Sequence, residues 1–381
     1  MRVLMLVQSP VEGDSRVLRE AATLASAGHD VHIVGRDIPE NFAPPAGVTV
    51  ESVGRERGLR PRGQRPARDL LTIRAARWLL LPEHRARVER AWSVAARAQA
   101  MAGEPADVVH AHDYNTLELA AQLARHWSAM LVYDAHEYWT GRPQVGRPTP
   151  VSRARVRRRE RELGAEAAAV LTVGDGVARA LRDAYGFAHI TVVRNTFPPL
   201  PTPRRSSLPA PTALVYAGRL AADRELEVIA AASQRLDLPI TLIGPADDAW
   251  LARFDPGKAA VLPPAPIDEI DEVLVAAGLA LVTHSDRWPN HRLALPNKLF
   301  HAVRVGIPVV ATDVGELADE VRAQGLGTLY RPGDVDALVN AVGAAVAAYP
   351  QLCDAVAAAS VPLSWDVDAR ALLDVYAKLA T

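Results

Sequence analysis

Hydrophobic and polar positions in this chain come in blocks, short apolar runs followed by amphipathic stretches, and that rhythm predicts strands alternating with helices. Val3 to Val7 predicts the first strand. The loop Gln8 to Gly13 follows, Asp14 or Ser15 can cap a helix reaching about Ala27, Gly28 stops it, and Val31 to Val34 predicts the next strand. That is a βαβ unit. Further strands end at Val109 and cover Met130 to Tyr133 and Ile190 to Val193. Six prolines between Pro198 and Pro211, with the basic pair Arg204-Arg205, then predict an interdomain linker. A second block opens with the strand Leu214 to Tyr216 and the turn Gly218-Arg219-Leu220. It continues through Ile240 to Ile243 with Gly244-Pro245, Val261-Leu262 and Leu279 to Thr283.

The stretch from His291 to Glu316 reads as loop, helix, strand and loop. Pro296 suits the first helical turn, Leu299, Phe300 and Val303 share one face, Gly306 stops the helix, and Ile307 to Ala311 predicts a buried strand. The polar segment before the helix delivers free backbone N–H groups, with Asn297 and Lys298, to the positive end of a helix dipole, which favours a phosphate or diphosphate. The same residues would equally serve as one more αβ unit of a parallel sheet with no ligand. The tail from Trp365 to Leu379 predicts an amphipathic helix with Leu372, Leu373 and Tyr376 on its apolar side.

A length of 381 residues favours two domains, each with its own core. With 49% hydrophobic residues and a formal net charge of -1, the composition is that of a globular protein without a global pull towards nucleic acid. A single cysteine, Cys353, excludes an intramolecular disulfide framework and fits a reducing cytoplasm. The apolar run Met1 to Gln8 meets polar Ser9 and Glu12 too soon for a signal peptide, and no run approaches the roughly 20 apolar residues of a membrane span. The expected location is therefore cytoplasmic. Arginine is concentrated at Arg55, Arg57, Arg60, Arg62, Arg65, Arg68, Arg74 and Arg77, ahead of apolar Trp78 to Leu81, and again from Arg153 to Arg161. Solvated helices and loops are the expectation for both segments, with a weak peripheral membrane contact as the alternative. Neither segment is interleaved with a nucleic-acid recognition element.

Candidate chemistry gathers where strands end, which is where open α/β sheets hold ligands. The strand ending at Val109 leads to His110, His112 and Asp113; the strand Met130 to Tyr133 leads to Asp134, His136 and Glu137. Adjacent strand positions point to opposite faces and no second cluster of ligand spacing appears, so no metal site is assigned to the histidines. His136 could also be a hydrogen-bonded histidine behind a site rather than in it. The first loop has one glycine instead of G-x-G-x-x-G, which removes the main support for hydride transfer, and there is no phosphate-loop motif.

In order along the chain stand DSRVLREAATLASAGHDVHIVG, DVVHAHD, LVYDAHE, VVRNTFP, YAGRL, LPNKLFHAVRVGIPVVATDVGE, LYRPGD and SWDVDARALLDVY. With these pieces the chain resembles a glycosyltransferase of the GT-B fold, and within it family 4 of the retaining, nucleotide-sugar-dependent enzymes. The resemblance implies an α/β architecture of two Rossmann-like parallel-sheet domains facing a cleft. Residues 1–198 would bind the acceptor, 199–362 the nucleotide sugar, and 363–381 would form a helix returning to the N-terminal domain. It also implies the site. Arg219 matches the arginine of the family's G-R-L turn, and Arg224 stands where a lysine usually follows; both would neutralise the donor diphosphate. His136 matches the family histidine near the transferred sugar. Gly13, Gly218, Gly244, Asn297, Lys298, Leu299 and His301 are the expected nucleotide-sugar contacts.

A retaining reaction without an evident carboxylate nucleophile implies front-face substitution, in which the diphosphate helps remove the acceptor proton. No covalent nucleophile is assigned. The co-substrate would be a UDP- or dTDP-linked sugar, with no cofactor and no metal required, and the acceptor a small molecule or glycan. Family members commonly carry two glutamates where this chain has Leu293 and His301. A glutamate accepts from both ribose hydroxyls and a neutral histidine has one acceptor nitrogen, so the departure leans towards a dTDP-deoxysugar, with UDP-glucose as the alternative. The competing expectation is a catalytically inactive GT-B partner or regulatory subunit. A nucleotide-sugar epimerase fits the motifs poorly.

Overall fold

The structure, a computed structural model, describes residues 1–54, 84–142, 150–200, 206–222 and 224–380. The arginine-rich segment from Arg55 to Arg77, the apolar Trp78 to Leu81 and the linker pair Arg204-Arg205 lie outside the described residues. Contacts divide the chain into two units. Unit 1 comprises Met1–Thr172, Ala178–Thr191 and Ala371–Thr381; unit 2 comprises Val173–Val177 and Val192–Arg370.

Unit 1 holds a seven-stranded sheet of β1 (Arg2–Pro10), β2 (Asp30–Arg36), β3 (Val48–Val53), β4 (Val108–His112), β5 (Met130–Ala135), β6 (Ala169–Thr172) and β7 (Ile190–Val192). Its strand order is β3-β2-β1-β4-β5-β6-β7. Val3 of the central β1 lies opposite Val31 on one side and Val108 on the other, both in parallel register. Strands covered on both faces need no polar side, which is why β1 and β4 read as apolar runs. The helix Ser15–Ser26 begins where expected, with the Asp14 carboxylate accepting from the Val17 amide at 3.3 Å. The expected first loop is shorter than the pattern suggested: β1 continues to Pro10 and Val11–Gly13 make a single 3-10 turn. Edge strand β3 was not evident in the sequence, because Val48 and Val53 are its only buried residues.

The strands β4 and β5 also run further than their apolar runs, to His112 and Ala135. His110 and His112 are thus two positions apart in one strand and share a face. Their rings stack with centroids 4.4 Å apart, which corrects the sequence argument that strand geometry keeps them separate.

Unit 2 holds a six-stranded sheet of β8 (Ala213–Ala217), β9 (Ile240–Ile243), β10 (Ala260–Leu262), β11 (Gly278–Val282), β12 (Val309–Thr312) and β13 (Gly327–Tyr330). The order is β10-β9-β8-β11-β12-β13. Successive residues of β8 feed different clusters, Leu214 and Tyr216 one and Val215 the other, so this sheet too is covered on both faces. In each sheet the order reverses beside the first strand, and that switch point is where the carboxyl ends of parallel strands leave room for a ligand.

The helix Asn297–Val305 starts one residue later than expected. Pro296 is extended (φ -75°, ψ 140°) and flanks the helix, its carbonyl accepting from the Leu299 amide, while Gly306 at φ 80° ends it. The last helix, Trp365–Leu379, is divided between the units at Arg370. On the unit 2 side Asp368 accepts from the Thr196 hydroxyl at 2.5 Å and from Arg194; on the unit 1 side the Tyr376 hydroxyl lies 2.9 Å from His110 Nδ1. The helix Pro150–Gly164 carries Arg153, Arg155, Arg157, Arg158 and Arg161 exposed. Among the described residues no single helix is long and apolar enough to cross a membrane.

Candidate functional site

In unit 2 the site begins with two glycines. Gly218 follows β8 at φ 154° and Gly244 follows β9 at φ 145°. A β-carbon on Gly244 would lie 2.2 Å from the Gly218 carbonyl oxygen, and one on Gly218 would lie 2.4 Å from Cε of Lys298. Only residues without a side chain let these two strand ends and the lysine stem meet. Lys298, the second residue of the helix Asn297–Val305, places its ammonium 4.6 Å from the centre of the Tyr216 ring.

Arg224 is the second cation. Thr283 fixes it by donating from its hydroxyl to the Arg224 carbonyl at 2.7 Å. Burial and then the Arg224 charge lower the Lys298 pKa to about 7. Among the described residues neither cation is paired with a carboxylate. Two neighbouring positive groups without a counter-charge form a site that an anion would stabilise. The other expected donor residues are placed less uniformly. Arg219 is exposed, its carbonyl held by the Tyr216 hydroxyl at 3.0 Å, and Asn297 is exposed at the helix start. Leu299 is fully buried in the core and its amide is spent on Pro296, so its side chain serves packing.

His301 departs furthest from its expected setting. Its Nε2–H donates to Asp271 of the helix Ile267–Ala277, Arg304 donates to the other oxygen of Asp271 at 2.8 Å, and the Phe197 ring stacks on the imidazole at 5.1 Å. None of these partners belongs to the expected donor set. Leu293, half-buried, ends the short helix Pro289–Leu293.

In unit 1 His136 stands just beyond β5 between two carboxylates. Its Nε2 is 3.0 Å from Asp134 Oδ2 and 3.1 Å from His112 Nδ1, its Nδ1 is 3.6 Å from Asp113 Oδ2, and its amide donates to Asp113 Oδ1 at 3.0 Å. Arg16 fixes Asp134 with two donors at 2.8 and 2.7 Å and reaches Glu20 Oε1 at 2.9 Å. Burial alone would lower the His136 pKa, but Asp113 and Asp134 outweigh it and push it up to about 10. Burial likewise opposes ionisation of Asp134, yet Arg16 and His136 hold that carboxyl well below its usual range. Glu20, where burial wins over Arg16, is pushed up to about 8.

The chemical result is an imidazolium at neutral pH, a hydrogen-bond donor and not a general base. Asp113 holds one side of it from a strained backbone, φ 65° and ψ 166°, a conformation costing on the order of 1–3 kcal/mol that is found mainly at functional positions. Gly13 ends the 3-10 turn after β1, exposed, and a β-carbon there would meet nothing within 4 Å. Packing within the chain therefore does not require a glycine at this position.

Ligand atoms of Glu20, His110, His112 and Asp134 all lie within 4.8 Å of one another, and by residue type the group could hold a metal ion. The Arg16 guanidinium already covers both oxygens of Asp134 and one of Glu20, so the cluster has its cation built in. Arg16 and Glu20 were missed in the sequence, although a signal was there: they fall on the same buried stripe as Val17, Ala21 and Leu24, where charge is out of place unless paired. Asp271 and His284 were missed as well. Nothing in the spacing ties Asp271 to His301, and His284 stands one residue beyond the predicted strand end.

Comparison with known proteins agrees with this architecture. A model of the glycosyl transferase 4-like domain matches residues 13–196, and one of the glycosyl transferases group 1 matches 211–347. A glycogen synthase from Mycobacterium tuberculosis is 25% identical over 359 residues, which covers 90% of this chain and 85% of that one. Among solved structures, a sucrose-phosphate synthase from Thermosynechococcus elongatus superposes with a TM-score of 0.73 at 17% identity, covering 100% of this chain and 99% of that one. The Anabaena protein HepE in complex with UDP-glucose superposes with a TM-score of 0.67 at 15% identity, covering 99% of this chain and 100% of that one. The chain belongs to the glycosyltransferases of the GT-B fold, with the two domains of a family 4-like member.

Proposed function

We propose that this protein is a retaining transferase that moves a sugar from a nucleoside diphosphate sugar to an acceptor hydroxyl, in the biosynthesis of a natural product or a polysaccharide. The observation that carries the reading is the Lys298–Arg224 pair, two neighbouring cations, Lys298 lying against Gly218, with no carboxylate against either among the described residues. A diphosphate supplies the missing charge, and stabilising its growing negative charge is what the departure of a nucleoside diphosphate needs. The cations and the adjoining helix start do the work often given to a metal, so the reaction is expected to proceed without one.

Retention by front-face substitution is supported from unit 1. Both oxygens of Asp134 are held by Arg16 and His136, so Asp134 is not free to act as a nucleophile. The His136 imidazolium serves as a donor to the sugar or holds the Asp113–Asp134 frame that shapes its pocket. Gly13, which the chain's own packing does not require, gives the donor sugar room to approach the first loop.

For the donor base and sugar, His301 is the guide. With Nε2 against Asp271, a neutral His301 offers Nδ1 as its one acceptor, which suits a ribose lacking one hydroxyl and hence a dTDP-linked sugar, while Leu293, which cannot pair a sugar hydroxyl, leans towards a deoxysugar. The HepE complex with UDP-glucose makes UDP-glucose the alternative. The single, buried Cys353 supports a cytoplasmic setting. Nucleoside diphosphate release from a panel of UDP- and dTDP-sugars by the purified protein tests the reading. Turnover or slow hydrolysis of at least one donor is expected. A folded protein that cleaves none, in the presence of glycan, lipid-linked and small-molecule acceptors, would favour the inactive GT-B partner.

A further inference from the structure

His284 stands two residues past β11 and is 6% exposed. Among the described residues neither ring nitrogen has a hydrogen-bond partner, whereas the residue's backbone amide donates to the Thr312 hydroxyl at 2.8 Å. A buried imidazole has one N–H and one lone pair to satisfy, and leaving both unmet is costly enough that such groups mark a ligand, a water or a functional constraint.

Among the described residues the titratable and charged groups that face it come from three elements: Lys298 of the helix Asn297–Val305, Arg224 of the turn after β8, and His291 of the helix Pro289–Leu293. His291 is already engaged, its Nδ1 2.9 Å from the Ser285 hydroxyl and its ring centroid 5.3 Å from that of His284. None of the three is a carboxylate. Burial and then these positive neighbours hold the His284 pKa well below its ordinary value, which keeps the ring neutral.

We infer that His284 is a further ligand of the donor diphosphate and that it binds the anion as an imidazolium, drawing one proton from solvent as the nucleotide sugar enters. The inference rests on unit 2 being the donor-binding side. The proton balance is simple: neutral imidazole plus a solvent proton gives a second N–H, one N–H then donates to a phosphate oxygen, and the proton returns to solvent when the nucleoside diphosphate leaves. A neutral ring avoids a third positive charge beside Lys298 and Arg224 before the anion binds. The arriving diphosphate reverses that field and makes the charged form the stable one.

The test uses the full-length protein with 15N-labelled histidine and UDP-glucose or dTDP-glucose at pH 7, probes whose diphosphate does not itself titrate there. Binding is followed in parallel by thermal shift. One histidine is expected to pass from a neutral to an imidazolium 15N pattern on saturation, its signal is absent from His284→Gln, and that variant binds the sugar nucleotide about tenfold more weakly. His284→Asn serves if the glutamine variant does not fold. Stabilisation by either probe with no change in any histidine pattern, or with a change that survives in the variant, overturns the role of His284 while leaving the donor reading intact. Absence of binding by both probes, at concentrations that saturate other sugar-nucleotide enzymes, overturns both.

Discussion

His136 Nε2 and Asp134 Oδ2 are 3.0 Å apart, and the same carboxylate receives two hydrogen bonds from the buried Arg16. A histidine in that position inherits an already compensated anion, and Asp113 adds a second one at 3.6 Å from Nδ1. The charged ring is thus stabilised from both sides although burial opposes it.

The first prediction concerns its titration. The folded pKa of about 10 lies above the ordinary value near 6.5, so the ring's contribution to stability is fully present below about pH 6.5 and is lost as the pH rises through about 10. The stability gap between wild type and His136→Asn, from urea unfolding, should therefore be widest at pH 6 and shrink towards pH 10. An NMR titration placing His136 near pH 6.5 would contradict it.

A second prediction follows from Arg16, 2% exposed and shared by Asp134 and Glu20. Removing one partner of a buried ion pair leaves an uncompensated charge and costs about 3–5 kcal/mol. Arg16→Met should lower unfolding free energy by that order, with Arg16→Lys intermediate because a lysine loses the two-pronged geometry. Unfolding free energies from urea within about 0.3 kcal/mol of wild type, at unchanged slope, would show that Arg16 is not the anchor of the cluster.

The alternation of the strands and the presence of two parallel sheets were legible in the sequence because each rests on local patterning: Val3 to Val7 for a buried strand, Asp14 for a cap, Gly306 for a stop. The polar framework was not. Arg16 meets Asp134 across 118 positions and His301 meets Asp271 across 30, and pairings of that kind arise only when separate βα units pack. Local reading also misplaced His110 and His112, because the apolar run ends before the strand does.

Lys298 provides a third prediction, in which stability and function move in opposite directions. Its folded pKa of about 7 lies below the ordinary lysine value, so the unfolded chain binds the extra proton between about pH 7 and 10 and wild-type stability rises across that window. Lys298→Met should be at least as stable as wild type at pH 7, lose that advantage by pH 10, and bind nucleoside diphosphate at least tenfold more weakly. A variant that is less stable at pH 7 and binds as well as wild type would refute the assignment of Lys298 to an anion site.

The fourth prediction is that excess EDTA leaves the transfer rate nearly intact. Arg16 supplies the cation in unit 1, Lys298 and Arg224 supply it in unit 2, and neither place needs a dication for charge balance. Loss of turnover on chelation, restored by magnesium or manganese, would reassign the Glu20, His110, His112 and Asp134 cluster as a metal centre.

The central claim, that unit 2 holds a sugar nucleotide by its diphosphate through Arg224 and Lys298, is tested most directly by calorimetric titration of UDP and dTDP into wild type and Arg224→Ala. Losing a charge-assisted hydrogen bond costs about 1.5 to 3 kcal/mol, so wild type should bind at least one of the two nucleotides and the folded variant should bind it roughly ten-fold or more weakly. Equal affinity for wild type and variant, or no binding of either nucleotide by the wild type, would contradict the account.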